Sequence, residues 1–319
     1  MMRTILVWLL SCGLMWAGMT LVPKAQIEAS GNVQSITVKS GSIIVGTGAG
    51  SLEAYRQSDL AKTLHVMFPK IKDFTGDEVA PKIFSVDMAE GTNVYLAVVQ
   101  ASSGARALYL VKEGAPRLVI DASQNWFISK AMFVDANHIL IALLSNEVIL
   151  WDVKNAKALY RTQLNPSHFS DFALNAAKTI AACSCESGEI SLVDVASGNV
   201  NKVLKGGNVD NVYKVDFKKS KVLCAGQDRR GIVYDVMSGS YERFDADFLI
   251  YAGALSPDER LGAFAFDEQN NIVVFDLDKK TPLYTLRGQK STLNTIVFTD
   301  AHTLISSSDD KTIMIWSLP

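Results

Sequence analysis

Few side chains in this sequence are suited to chemistry. There are four histidines, at 65, 138, 168 and 302, and four cysteines, at 12, 183, 185 and 224. No two histidines stand at metal-ligand spacing, and none sits beside an acidic pair. His138 and His302 fall at matching starts of β-rich runs, Asn137-His138-Ile139-Leu140 and Ala301-His302-Thr303-Leu304, where a repeated turn explains them better than a ligand set. Cys183-Ser184-Cys185 has a spacing that could serve redox or metal chemistry. Yet Cys183 and Cys224 each precede an aspartate, Asp194 and Asp235, by eleven residues, and the same position holds Ile141, Ala265 and Ser306. A position shared by Ile, Ala, Ser and Cys is a packing position, where a thiol behaves as a small hydrophobe. Neighbouring equivalents would stand too far apart to bridge. Without Cys12 the cysteine count is odd, so no disulfide framework is indicated. No glycine-rich motif opens a helix to cradle phosphate. Ser187 and Ser256 lack a His or Asp context, and the carboxylates stand singly at turns. These residues predict no catalytic constellation, no cofactor and no metal site.

The elements that carry these residues belong to one large globular body. The chain has 319 residues, 48% hydrophobic and 20% charged, with a net charge of −2. That composition supports a substantial core. It offers no general attraction to nucleic acid or anionic membranes. The first 24 residues differ from the rest. Met1-Met2-Arg3-Thr4 is a short basic start, and Ile5 to Val22 carries no charge. This is the pattern of a secretory signal peptide, with cleavage expected near Ala25. Two other readings stay open: an uncleaved anchor, because the apolar run reaches 18 residues, and a lipoprotein box at Leu9-Leu10-Ser11-Cys12. Each puts the body, residues 25–319, outside the cytoplasm, in the periplasm.

That body is a repeat. Val148-Ile-Leu-Trp-Asp152 recurs as Ile190-Ser-Leu-Val-Asp194, Ile232-Val-Tyr-Asp235, Ile272-Val-Val-Phe-Asp276 and the terminal Ile313-Met-Ile-Trp-Ser317. Asp152, Asp194, Asp235, Asp276 and Ser317 follow at intervals of 42, 41, 41 and 41. Leu108-Tyr-Leu-Val-Lys112 lies one period earlier. Ser51 to Arg56 lies a period plus about 15 residues before that, which marks an insertion at FPKIKDFTGDEVAP, residues 68–81. Each unit holds four short β-rich runs separated by Gly, Asn, Asp and Ser, and nothing of helical period intervenes. Seven such units predict an all-β, seven-bladed propeller with four antiparallel strands per blade. The last unit has only three strands, while Ala25 to Ser30 is an orphan run before the first unit. Pairing that run with Ile313–Trp316 would complete the last blade and close the ring, leaving Leu318-Pro319 beyond the strand as dispensable residues.

These units resemble WD40 repeats. The likeness is closest at Ser308-Asp-Asp-Lys-Thr-Ile-Met-Ile-Trp316 and at Leu150-Trp151-Asp152. Elsewhere the Trp position holds Tyr55, Val111, Val193, Tyr234 and Phe275, and Gly288-Gln289 is the nearest approach to the family's Gly-His. The resemblance therefore implies the WD40 ring without the His–Ser–Asp–Trp support network in most blades. The layout, an exported single propeller of degenerate repeats, is also similar to the NapL accessory proteins of periplasmic nitrate reductase systems. That likeness implies a non-catalytic role beside periplasmic nitrate reductase components.

A binding surface is legible where the first strand of each unit begins. Counting four residues back from Phe133, Leu174, Phe217, Leu255 and Phe298 gives Ser129, Ser170, Tyr213, Tyr251 and Asn294, with Trp126, Phe127, Phe169 and Phe248 just before or at those entries. Aromatics gathered on one rim suit protein recognition. The 68–81 insertion and the charged tip Gln227-Asp-Arg-Arg230 are further candidates. The function expected is that of an exported, monomeric protein–protein scaffold. The competing expectation is a propeller enzyme or cofactor protein, quinoprotein-like or lactonase-like.

Overall fold

The computed structural model describes residues 18–319, so most of the expected leader, residues 1–17, lies outside the described residues. Four-stranded antiparallel sheets follow one another along the chain as blades of a ring. The first blade comprises Val33–Lys39, Ser42–Thr47, Ser51–Arg56 and Lys62–Met67, and the second Ile83–Met88, Val94–Gln100, Arg106–Lys112 and Ala115–Ile120. The third begins at Ile128–Phe133, the fourth at Phe169–Leu174, the fifth at Val212–Phe217, the sixth at Gly253–Leu255 and the seventh at Leu293–Phe298. The 68–81 insertion forms a small hairpin of Ile71–Lys72 and Glu78–Val79 between the first two blades.

A blade is apolar on both faces, because each face meets a neighbouring blade. Third strands such as Ile190–Asp194 therefore read as continuous buried runs rather than as alternating ones. Seven apolar clusters result, one at each blade–blade junction. Close approach is needed at some of these junctions: a Cβ on Gly231 would lie 2.6 Å from the Phe264 ring of the next blade.

The ring closes as the repeat count requires. Ala25–Glu28 pairs antiparallel with the last strand, with Ala25 opposite Ile315, Ile27 opposite Ile313 and Glu28 opposite Thr312. Ile27, 6% exposed, joins the cluster shared by the seventh and first blades. Beyond it, Ser30 donates through its backbone N–H and its hydroxyl to the Glu53 carboxylate, tying the closing segment to the first blade.

Three details differ from expectation. Met19–Leu21, inside the segment read as leader, forms a short strand parallel to the outer strand of the sixth blade, Leu21 opposite Leu286. Leu21 packs on the cluster between the sixth and seventh blades, so a cut next to Ala25 would remove a strand from that sheet. At the other terminus, Leu318 is 4% exposed within that cluster, and its N–H donates to the His302 carbonyl at 2.7 Å. The strand ends at Ser317, but the next side chain is core. Finally, the sixth blade has one extra residue between its second and third strands: Leu261 opposes Asp276, fifteen residues on, where Lys221 opposes Asp235 at fourteen. Phe264, not Ala265, is therefore the counterpart of Cys183 and Cys224.

Candidate functional site

Strand direction fixes two ends of the ring. First strands start at one end, called here the entry face, which also carries the loops between blades and those between second and third strands. The opposite face carries the remaining turns. The residues counted back from the strand ends take equivalent places at the channel's entry: Ser129, Ser170, Tyr213 and Asn294 are each second in their strand. Tyr251 holds the same place ahead of Gly253–Leu255, and all five are half-buried. Tyr213 and Tyr251 stack, with centroids 5.0 Å apart, and Phe248 leans on Tyr251 at 6.3 Å. Ser170 donates to Asn211 Oδ1 at 2.6 Å, and Asn294 Nδ2 donates to the Val33 carbonyl at 2.8 Å, across the seam between the last and first blades. Trp126 is half-buried, edge-on to Trp151 and under Arg161. Phe127 is 46% exposed. Phe169 is placed differently. It is 5% exposed and packed in the core against Phe172, so its ring offers no surface.

The entry face also holds exposed apolar residues outside that set, among them Met67 at the entry end of the first blade's outer strand. Phe74, at the tip of the insertion, is 94% exposed and Val209, before the fifth blade, is 65% exposed. On the opposite face Met237 stands exposed in a turn, with Val200 and Tyr241 exposed where outer strands leave such turns. The Gln227–Arg230 tip is built as a turn, with Asp228 accepting from Asn208 Nδ2 and from the Val209 and Arg230 N–H groups.

The three described cysteines are core residues, and two of the histidines stand at strand starts and turns. Cys183, Cys185 and Cys224 are buried free thiols, and burial pushes those of Cys183 and Cys224 far above their ordinary range. His138 opens a second strand and contacts Asp135, while His302 falls in the turn before its own second strand. Among the described residues, no three His, Cys, Asp or Glu side chains converge as a metal site.

Support networks follow the degeneracy of the repeats. In the seventh blade, Trp316 Nε1 donates to Ser306 Oγ at 2.9 Å, and Ser306 donates to Gln289 Oε1 at 3.2 Å. Gln289 Nε2 donates on to Ser308 Oγ at 2.7 Å, so a glutamine stands where the WD40 pattern has histidine. In the third blade, Trp151 Nε1 is buried without a partner. In the first, Glu53 is fully buried and takes this role. Burial alone would push its carboxyl up, but hydrogen bonds from Ser30, Tyr55, Ser51 and Lys62 outweigh that and hold it at about 2.

The charged lining of the central channel is not legible from the sequence. The channel's cavity of about 460 Å³ is lined by the inner strands. Three ion pairs stud the wall: Lys39–Asp87 at 2.5 Å, Lys130–Asp171 at 2.7 Å and Lys218–Asp216 at 2.9 Å. The second oxygen of each aspartate accepts a backbone N–H from the next inner strand: Asp87 from Phe133, Asp171 from Val215 and Asp216 from Leu255. These carboxylates therefore lock adjacent blades at the hub. Lys130, Asp171 and Lys214 share the third place in their strands, so counting three residues back instead of four finds them.

Ring, blade pairing and strand count define a seven-bladed β-propeller of WD40-like layout, a fold compatible with a protein-interaction scaffold. No protein-family model matches the chain, and no curated protein matches it.

Proposed function

We propose that this propeller is an exported, non-catalytic scaffold that docks a protein partner on its entry face, in the accessory role to a periplasmic nitrate reductase that its layout implies. The observation that carries this reading is the asymmetry between the two faces. Phe74, Phe127 and Val209 stand exposed around the half-buried Trp126, Tyr213, Phe248 and Tyr251 on one face, where the other has Met237 in a turn and Val200 and Tyr241 at the starts of outer strands. Apolar and aromatic anchors ringed by polar loops are the anatomy of a recognition surface. Ser129, Ser170 and Asn294 fix the inner border of that surface by hydrogen bonding or position. The rigid ring beneath holds the loops in place, which lowers the ordering cost of binding. The basic, then uncharged, N-terminal segment supports export.

The test is capture from a periplasmic extract with partner identification by mass spectrometry, followed by binding to purified nitrate reductase components. The wild-type chain and Met237→Asp should retain the partner, and Phe127→Asp with Val209→Asp should lose it. Retention by the entry-face variant, or absence of the protein from the periplasm, would overturn the reading.

A further inference from the structure

The three ion pairs on the channel wall leave two cations over. Lys39, Lys130 and Lys218 are each answered by one aspartate. Lys214 and Arg106 line the same cavity, and among the described residues neither has a carboxylate oxygen within 4.0 Å. Arg106 is held in place by the protein: Nη1 donates to the Ile128 carbonyl at 2.7 Å, and its guanidinium lies 3.6 Å over the Phe84 ring. Among the described residues its Nε is buried with no partner, and the Lys214 side chain forms no hydrogen bond. The channel therefore carries a surplus of two positive charges inside a chain whose net charge is −2.

Burying a charge without a counter-charge is costly. The titration of both groups shows that strain. The Asp171 charge draws Lys214 up, but burial and the neighbouring Lys130 ammonium outweigh it and leave Lys214 below its ordinary range. Burial pulls Arg106 down to about 10, so it stays charged at neutral pH. A concave, low-dielectric site with excess charge of one sign concentrates counter-ions. A cavity of about 460 Å³ is of the size that holds a small metabolite.

We propose that the central channel binds a small organic anion carrying carboxylate or phosphate groups, with Lys214 and Arg106 supplying the two charges that its own wall leaves without an ion pair. This site opens inside the inner border of the entry face, sharing Ser129 and Ser170 with it, and its test does not depend on whether that face docks a protein. Carboxylate and phosphate present the same oxyanion to a lysine and an arginine, and the probes below separate them.

The experiment is thermal denaturation and titration calorimetry of the full chain with succinate, inorganic phosphate, uncharged succinamide, and chloride at matched ionic strength. Succinate or phosphate should raise the midpoint by about 4 °C at a hundredfold excess over its Kd, and the one that does so names the class. Succinamide and chloride should not. Lys214→Met loses no ion pair or hydrogen bond and trades the attraction of Asp171 against relief of a desolvated charge, so without ligand it should melt close to the wild-type temperature. It should also weaken anion binding by about tenfold or more, while Lys214→Arg should retain it. No response to either anion, an equal response to chloride, or unweakened binding by Lys214→Met would overturn the proposal.

Discussion

Replacing Glu53 by glutamine should remove a defined amount of stability, and the loss should itself depend on pH. The buried carboxylate accepts from the Ser30 N–H and hydroxyl, from Ser51 Oγ at 3.0 Å, from the Tyr55 hydroxyl and from Lys62 Nζ at 3.2 Å. A glutamine turns an NH₂ toward some of those donors and brings no charge. The Glu53 carboxyl sits at about 2 against an ordinary 4.5. At about 1.4 kcal/mol per pH unit, the charged form is favoured in the folded state by about 3 kcal/mol. Because the folded value is depressed, this stability is fully present above pH 4.5 and lost as pH falls through 2. Near pH 3 about 1.4 kcal/mol should remain, and near pH 2 less than about 0.5 kcal/mol. With an unfolding entropy of about 2.1 cal/mol/K per residue, 3 kcal/mol corresponds to about 5 °C in Tm for this chain. The assay is paired urea and thermal denaturation of the wild type and Glu53→Gln at pH 7, 4 and 3. A difference near 3 kcal/mol at neutral pH that shrinks to about half at pH 3 supports the carboxylate as the clasp between the closing segment and the first blade. Equal stability at pH 7, or a deficit of the same size at both pH values, refutes it.

The ring itself can be opened from either terminus. Ile27→Ala should cost about 2–4 kcal/mol, and deletion of residues 25–30 should cost more and produce self-association through the bared Ile313–Trp316 edge, read by size-exclusion chromatography. Removing Leu318 and Pro319 should also lower Tm, because Leu318 is core; unchanged melting after the N-terminal deletion contradicts the closure, and after the C-terminal one the core placement of Leu318. Cys183 and Cys224, 2% and 0% exposed, should resist a bulky thiol reagent until the chain unfolds, and rapid native-state labelling of either would overturn their placement.

The period of about 41 residues determines most of this molecule's architecture. Four short β-rich runs punctuated by turn residues admit one strand order per unit, and seven units with one orphan run admit one way to close. The rim positions were legible for the same reason: repeats place equivalent residues at equivalent heights, so Ser129, Ser170, Tyr213, Tyr251 and Asn294 could be found by counting. What counting could not give was depth. Phe169 and Phe127 both neighbour strand entries, yet one is core and the other exposed, because a single residue of register reverses the side a strand residue faces. Nor could it give the strand at Met19–Leu21, since an uncharged apolar run reads alike as leader or as edge strand, and only the free edge of the sixth blade distinguishes them. The Leu318 anchor depends in the same way on a cluster assembled from two blades. The channel's charge belongs wholly to the tertiary structure. Arg106, Lys130, Asp171 and Lys214 come from four different blades and line one cavity only once the ring has closed, and there the Lys130, Asp171 and Lys214 charges act on one another. Sequence fixes which residue each blade contributes to the hub, and closure of the ring decides which of those charges are left without an answer.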